Sequence, residues 1–213
     1  MRDGAYAAGN VTTTDGDSTQ TSRMRLLNAG RTLFARNGYE QTSTAAIARE
    51  SGSSESQLIR YFGGKAGLLE AIFNESWSGL NELVQQQLSE AEHGREAIIR
   101  LLALMTQAFS RDHDIAFLFL FEGRRIRAGS QGVVLSKGFQ QFVHVLDAVI
   151  ERGRQDGSFR TDIHPKVLCS AMLGCAEGMI RDRVIAERNG ETNPYEDDVV
   201  LRTFTAMVNG LAA

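Results

Sequence analysis

Thr42, Ser43, Thr44, Ser54, Glu55, Ser56, Gln57, Arg60, Tyr61 and Lys65 place hydroxyl, carboxylate, amide, guanidinium, phenol and ammonium groups in one short run. No Ser/His/Asp set, carboxylate pair, phosphate loop or metal-ligand spacing accompanies them. The sequence therefore supplies no catalytic apparatus and implies no metal or cofactor. The chemistry open to such a run is hydrogen bonding to a nucleic acid. An arginine reaches guanine O6 and N7, a glutamine bridges adenine N6 and N7, and a glutamate accepts from cytosine N4. Hydroxyls and free amides at a helix N-terminus suit a phosphate.

Helices must hold these groups on one side. Ser22 is a good N-cap, and Leu26, Leu27, Gly30, Leu33 and Phe34 repeat at helical spacing until Gly38 stops them. Gly30 in mid-helix costs about 1 kcal/mol relative to alanine, which points to another helix crossing closely there. Thr42 and Ser43 cap a short helix over 44–50, and Gly52 breaks the chain. Ser54 and Gln57 then form an S-x-x-Q capping box opening a helix to Phe62. Ala45, Ile47 and Ala48 on the first short helix and Leu58, Ile59 and Phe62 on the second are expected to face inward. Two short helices crossing at a glycine turn make a helix-turn-helix, whose second helix turns Glu55, Ser56, Gln57 and Arg60 outward. Gly63 and Gly64 end it, and a long helix follows over 65–92 with Leu68, Leu69, Ile72, Phe73, Leu80, Leu83 and Val84 on one stripe.

Charge is distributed to match. The whole chain of 213 residues carries a formal charge of −3, yet residues 22–66 sum to +4 and the remainder from Gly67 to −5. A basic module on an acidic body suits a head that binds phosphate and a body that does not. Residues 1–21 are rich in small and polar types and read as a disordered tail. Cys169 and Cys175 lie six residues apart in a helical stretch, about 9 Å along its axis, too far to bridge. A reducing cytoplasm is the default, and the longest apolar run, 115–121, is far short of a membrane span.

The ordered set Leu26-Leu27, Leu33-Phe34, Gly38-Tyr39, Thr42-Ser43, Ile47-Ala48, Ser51-Gly52, Ser54-Glu55, Leu58-Ile59, Tyr61-Phe62, Lys65 and Leu68-Leu69 resembles the tetracycline-repressor (TetR) family of bacterial regulators. Each pair is weak alone, but the set within fewer than fifty residues is specific. The resemblance implies an all-α fold with a three-helix DNA-binding head over 22–66 and an effector-binding and dimerising body over 67–213, about nine helices in all. It implies an operator DNA partner, a small-molecule effector and a homodimer. It also implies backbone contacts from Lys65 and Tyr61, with Arg23 and Arg25 adding nonspecific affinity. Ser53 and Ile59 depart from the family's usual Val and Tyr. Ile59 cannot offer a phenol to phosphate, so any operator deduced by analogy is unsafe.

The body reads as helices only, over 95–110, 115–128, 133–155 and from Pro165 to Arg188. A last helix is signalled by Asn193 as N-cap with Pro194 behind it. The resemblance places dimerisation on the last two long helices. Val167, Ala171, Gly174 and Gly178 form a small-residue face on the first, and Val200, Phe204, Met207 and Val208 a stripe on the second. Trp77, Met105, Phe109, Phe117, Phe121, Phe142, Cys175 and Met179 are candidates to surround an apolar effector, with His113, His144 or Glu177 as polar anchors. Arg124, Arg125 and Arg127 read either as a solvated face or as an anion site. Two other classes remain open from residues alone: a constitutive or architectural DNA-binding protein, and an enzyme on a helical bundle.

Overall fold

Caps and glycines mark where the helices begin and end. The computed structural model describes residues 15–122, 125–126, 133–134 and 137–212. Among the described residues the head holds α1 (Asp15–Asn37), α2 (Thr44–Glu50) and α3 (Glu55–Phe62). The body follows as α4 (Lys65–Glu90), α5 (Gly94–Arg111), α6 (His113–Phe117), α7 (Lys137–Gln155), α8 (Pro165–Asn189) and α9 (Asp197–Gly210). A π-helical turn (Leu118–Glu122) continues α6. Two residues of β1 (Arg125–Ile126) pair antiparallel with β2 (Val133–Val134). The fold is all-α in every load it carries.

Helix α4 is the spine. Its first half packs on α1, where Gly30 allows the crossing: a Cβ at that position would lie 2.7 Å from Leu68 Cδ2. Its second half buries Trp77, Leu80 and Val84 against α5 and α7. The approach of α3 to α4 is tighter still. A Cβ on Gly67 would sit 1.7 Å from the Phe62 carbonyl oxygen, so only glycine lets α3 end where it does. Helix α9 lies against α5 and α8, burying Val200, Phe204 and Val208.

Several boundaries differ from those read in the sequence. Helix α1 starts at Asp15, not Ser22, because extending a formed helix backwards costs no new nucleus. Only Met1–Thr14 of the expected tail lie outside the described residues. The helix expected over 115–128 stops at the π turn and gives way to β1. The helix expected from Val133 starts at Lys137. The adjacent valines 133 and 134 favour extended backbone. Arg124 and Arg127 lie outside the described residues. Asn193 does not cap α9; its Oδ1 accepts from Tyr195 N at 2.9 Å in a local turn, and Glu196 is the N-cap. Ala45, Ile59 and Leu83, expected inward, are exposed, Ile59 by 57%.

Candidate nucleic-acid interface and apolar cavity

The head is built around its caps. Ser43 Oγ accepts from Ala46 N at 3.1 Å and starts α2. Ser54 Oγ accepts from Gln57 N at 3.2 Å while Gln57 Oε1 accepts from Ser54 N at 3.0 Å, closing the capping box of α3. Thr44 Oγ1 donates to Glu55 Oε2 at 2.6 Å, tying the two helix starts together. Gly63 ends α3 at φ 71°, a left-handed cap.

These bonds reassign some of the candidates. Thr42, expected to meet phosphate, is only 1% exposed. Its hydroxyl points inward, donating to Gly38 O at 2.8 Å and Leu33 O at 3.2 Å. Gln57 has its amide oxygen committed to the cap, so a two-point clamp on adenine is closed to it while the box stands. The exposed face of α3 is Glu55, Ser56, Ile59 and Arg60. Ile59 was missed as a surface residue, although positions 55 and 59 share a helical face and would have revealed it. Arg60 lies over the Tyr61 ring, 4.8 Å from its centroid, and donates to Tyr61 Oη at 2.8 Å. Lys65 Nζ donates to Tyr39 O at 2.9 Å and lies 4.3 Å from the Tyr39 ring centroid. Arg23 rests on Phe62 and pairs with Glu75 at 3.5 Å. Arg25, Arg36 and Arg49 are exposed and leave the head's surface basic.

The body holds a partly open cavity of ≈ 70 Å³. Phe73 and Trp77 from α4, Met105 and Phe109 from α5, Phe119 from the π turn, Phe142 from α7, Met172 and Glu177 from α8 and Phe204 from α9 are among its lining. Phe119 is the hub, with ring centroids 4.3 Å from Trp77, 5.2 Å from Phe73 and 5.9 Å from Phe109. Sequence reasoning missed it because it passed over Phe119 in favour of Phe117 and Phe121. Those two stack on each other at 4.8 Å away from the lining, with Arg188 3.6 Å above Phe117.

Of the other effector candidates, His113 is at the surface, 3.0 Å from Glu187 Oε2, and His144 is exposed. Cys175 and Met179 sit half-buried beside the lining face of α8, which runs through Met172, Ala176 and Ile180 instead. Burial pushes the Cys169 thiol up to about 11 and raises Cys175 as well, so neither has thiolate character at neutral pH. Val200, Phe204 and Val208, expected at a dimer seam, are buried inside this chain, and Met207 is half-buried on the same core. Val167, at 60% exposure, Ala171 and Gly174 do lie on an open face of α8, with Gly178 partly covered. Among the described residues no group of acids, histidines and thiols is placed to hold a metal, and no helix is long and apolar enough to cross a membrane.

Beside the Arg23–Glu75 pair, further polar ties join head to body. Glu122, at the end of the π turn, accepts from Tyr39 N at 3.2 Å. Arg31 meets Asp112 at 3.0 Å, and Arg188 donates to Ala35 O at 2.7 Å near the C-terminus of α1.

A basic head with a capped helix-turn-helix, tied to a helical body with an apolar cavity, is the architecture that the sequence motifs imply. The family model for bacterial regulatory proteins of the tetR family matches residues 26–72. A second, for the YsiA-like C-terminal region, matches residues 73–199. The chain belongs to the TetR family. It is accordingly a DNA-binding transcriptional regulator. It is 19% identical over 165 residues to the fatty acid metabolism regulator protein of Bacillus subtilis, covering 78% of this chain and 84% of that one. It is 26% identical over 141 residues to the HTH-type transcriptional repressor KstR2 of Rhodococcus jostii, covering 66% and 69%. Its fold is similar to the fatty acid degradation regulator FadR of Bacillus halodurans, with TM-score 0.75 at 17% identity over 89% of this chain and 95% of that one. FadR of Bacillus subtilis, solved in complex with stearoyl-CoA, aligns with TM-score 0.75 at 16% identity over 89% and 99%. These TetR relatives are named as regulators, not enzymes.

Proposed function

We propose that this TetR-family chain is a cytoplasmic, dimeric repressor that leaves a two-fold symmetric operator when an apolar small molecule enters the body. The observation that carries this reading is the cavity itself: its lining is hydrocarbon and aromatic apart from Glu177, and one wall is the π turn that holds Tyr39 of the head. Phe119, on that turn, packs at the centre of the lining against Trp77, Phe73 and Phe109. An apolar chain that enters between these rings moves Phe119, and with it the turn. A ligand that binds the displaced state better shifts the population of head positions. The relatives named for fatty acid metabolism support a ligand with an acyl-like chain.

In this reading residues 22–66 are the DNA-binding head and residues 67–213 the effector and dimerisation body. Ser56, Ile59 and Arg60 meet base edges, Ile59 through a thymine methyl and Arg60 through guanine, while Glu55 rejects the wrong register. Ser43, Thr44, Lys65 and Tyr61 meet the backbone. The dimer forms through the exposed α8 face of Val167, Ala171, Gly174 and Gly178, continued by Ile185, which is 39% exposed.

The test is selection of DNA from a random pool at physiological salt, sizing of the complex, and release by long-chain acyl compounds. A symmetric site bound by dimers and released by the acyl compound supports the repressor. Binding with no preferred sequence, or binding that no apolar compound affects, overturns it. Arg60→Ala is expected to cost about 1–3 kcal/mol at one base position of the selected site and to relax preference there.

A further inference from the structure

Glu55 is exposed on the first turn of α3, an acid on a head whose residues 22–66 sum to +4. A negative side chain weakens the hold of such a head on phosphate, so its place calls for a reason. The helix dipole favours an acid at this position, but it gives no account of a tie to another helix. Thr44, at the start of α2 and eleven residues away, donates from Oγ1 to Glu55 Oε2 at 2.6 Å, the length of a charge-assisted bond. That bond engages one carboxylate oxygen and leaves Oε1 outside it. Ile59 lies one turn further along the same helical face and is 57% exposed. A large apolar side chain gains nothing from water there, and it gains from a base methyl in the major groove. The face shared by Glu55 and Ile59 thus fits the floor of the groove better than its phosphate walls.

We propose that Glu55 is a specificity-determining residue that selects cytosine, with Oε1 accepting from the N4 amine, and that Thr44 is its positioning residue. This rests on the reading that α3 meets base edges. The major groove offers two base donors, cytosine N4 and adenine N6; guanine and thymine present acceptors there, which repel a carboxylate. Adenine N6 stands between two acceptors, its own N7 and O4 of the paired thymine. Cytosine N4 has an acceptor on one side alone, O6 of the paired guanine, so a full negative charge fits best at cytosine. The same repulsion is what rejects a wrong register. Thr44 acts before DNA arrives: a glutamate held by one oxygen has fewer rotamers to lose on binding. The threonine hydroxyl has a single proton, so the backbone contact of Thr44 falls to its amide.

Sites are selected from a random DNA pool with full-length wild type, Glu55→Gln, Thr44→Val, Thr44→Ser and Arg60→Ala, and affinities for the selected sites are then measured against salt. Wild type is expected to prefer cytosine about tenfold at one position of each half-site. In Glu55→Gln that preference is expected to move to adenine, because an amide donates to N7 and accepts from N6, while the other positions stay as they were. Thr44→Val is expected to keep cytosine but to reduce the preference about threefold with the salt slope unchanged, and Thr44→Ser to restore it. If Glu55→Gln selects the same bases as wild type while Arg60→Ala alters one position, α3 reads DNA and the cytosine contact is overturned. If Thr44→Val weakens all sequences alike and lowers the salt slope, the hydroxyl serves a phosphate and the positioning role is overturned. If neither Glu55→Gln nor Arg60→Ala changes the selected site, the reading that α3 meets base edges fails and takes the cytosine contact with it.

Discussion

Thr42 separates two roles that look alike in the sequence. A hydroxyl just ahead of α2 suits phosphate, but here it is buried and donates to Gly38 O and Leu33 O at 2.8 and 3.2 Å. Thr42→Val keeps the shape and removes the proton that bridges the end of α1 to the start of α2. A buried carbonyl that loses its donor costs roughly 1–3 kcal/mol, partly offset by the better packing of a methyl, so a net loss of about 1–2 kcal/mol is expected. For a chain of this size each kcal/mol lowers Tm by about 2–4 °C, giving a drop of roughly 2–8 °C. Thr42→Ser, which retains the hydroxyl, is expected to recover most of it. Thermal denaturation reads the first effect, and operator affinity against salt reads the second. Each phosphate contact contributes about 0.9 to the slope of log K on log salt, and Thr42→Val is expected to leave that slope alone. An unchanged Tm, together with loss of DNA affinity equal at every sequence, would refute the inward assignment and return Thr42 to the phosphate.

Three further outcomes follow from the geometry. Lys65→Met is expected to weaken all DNA sequences alike and reduce the salt slope by about 0.9. It should also lower Tm, because the ammonium ties Tyr39 O as well; a loss confined to one base position would contradict this role. Gly67→Ala places a methyl where the Phe62 carbonyl oxygen is only 1.7 Å away. The end of α3 must move, at a cost of about 1–3 kcal/mol in stability, and DNA binding should fall more than tenfold while the oligomeric state is unchanged. Burial pushes the Asp156 carboxyl up, but hydrogen bonds from the Ser158 hydroxyl, Gly94 N–H and Ser158 N–H hold it below the ordinary carboxylate range. A depressed folded-state pKa gives stability that is present above the unfolded value of about 3.9 and is lost as pH falls through the folded one. The Tm gap between wild type and Asp156→Asn is therefore expected at neutral pH and to close in acid; a gap that persists at low pH would show that the charge is not its source.

The head was the more legible half. Its signals are local: a serine cap, a reciprocal capping box and glycine stops act within four residues and need no tertiary partner. The predicted 44–50 helix and the Ser54 start of α3 agree with the structure to the residue. What failed there was side-chain facing. On helices of seven and eight residues a shift of one position exchanges core for surface, and Ala45 and Ile59 fell on the wrong side of it. In the body the apolar pattern identified most helices, but pattern alone cannot distinguish a face that meets another chain from one that meets α5. Phe204 shows this: its spacing suits a dimer seam, whereas in the fold it is 3% exposed and closes the cavity. On α8 the observed lining face runs through Met172, Ala176 and Ile180, about one position round from the expected Cys175 and Met179.

The largest departure lies where head and cavity meet. Local rules read 115–128 as one regular helix, on which Ile115, Phe119 and Glu122 would fall on a common face. That arrangement would ask one surface to bury two hydrocarbon groups and a carboxylate. The π turn resolves the conflict by widening the helix over Leu118–Glu122. Phe119 is left against Trp77, Phe73 and Phe109, and Glu122 against the amide of Tyr39. A turn of this kind is uncommon and tends to mark functional positions. Here it is a five-residue segment whose apolar side chain Phe119 lines the cavity and whose acidic side chain Glu122 accepts from Tyr39 N at the base of the DNA-binding head. Sequence-local consistency is expected to break where function imposes a second demand. In this chain that break coincides with a short route from the cavity to the end of α1, from Phe119 through Glu122 and its hydrogen bond with Tyr39 N, which is why the proposed switch is assigned to this turn and not to the long helices around it.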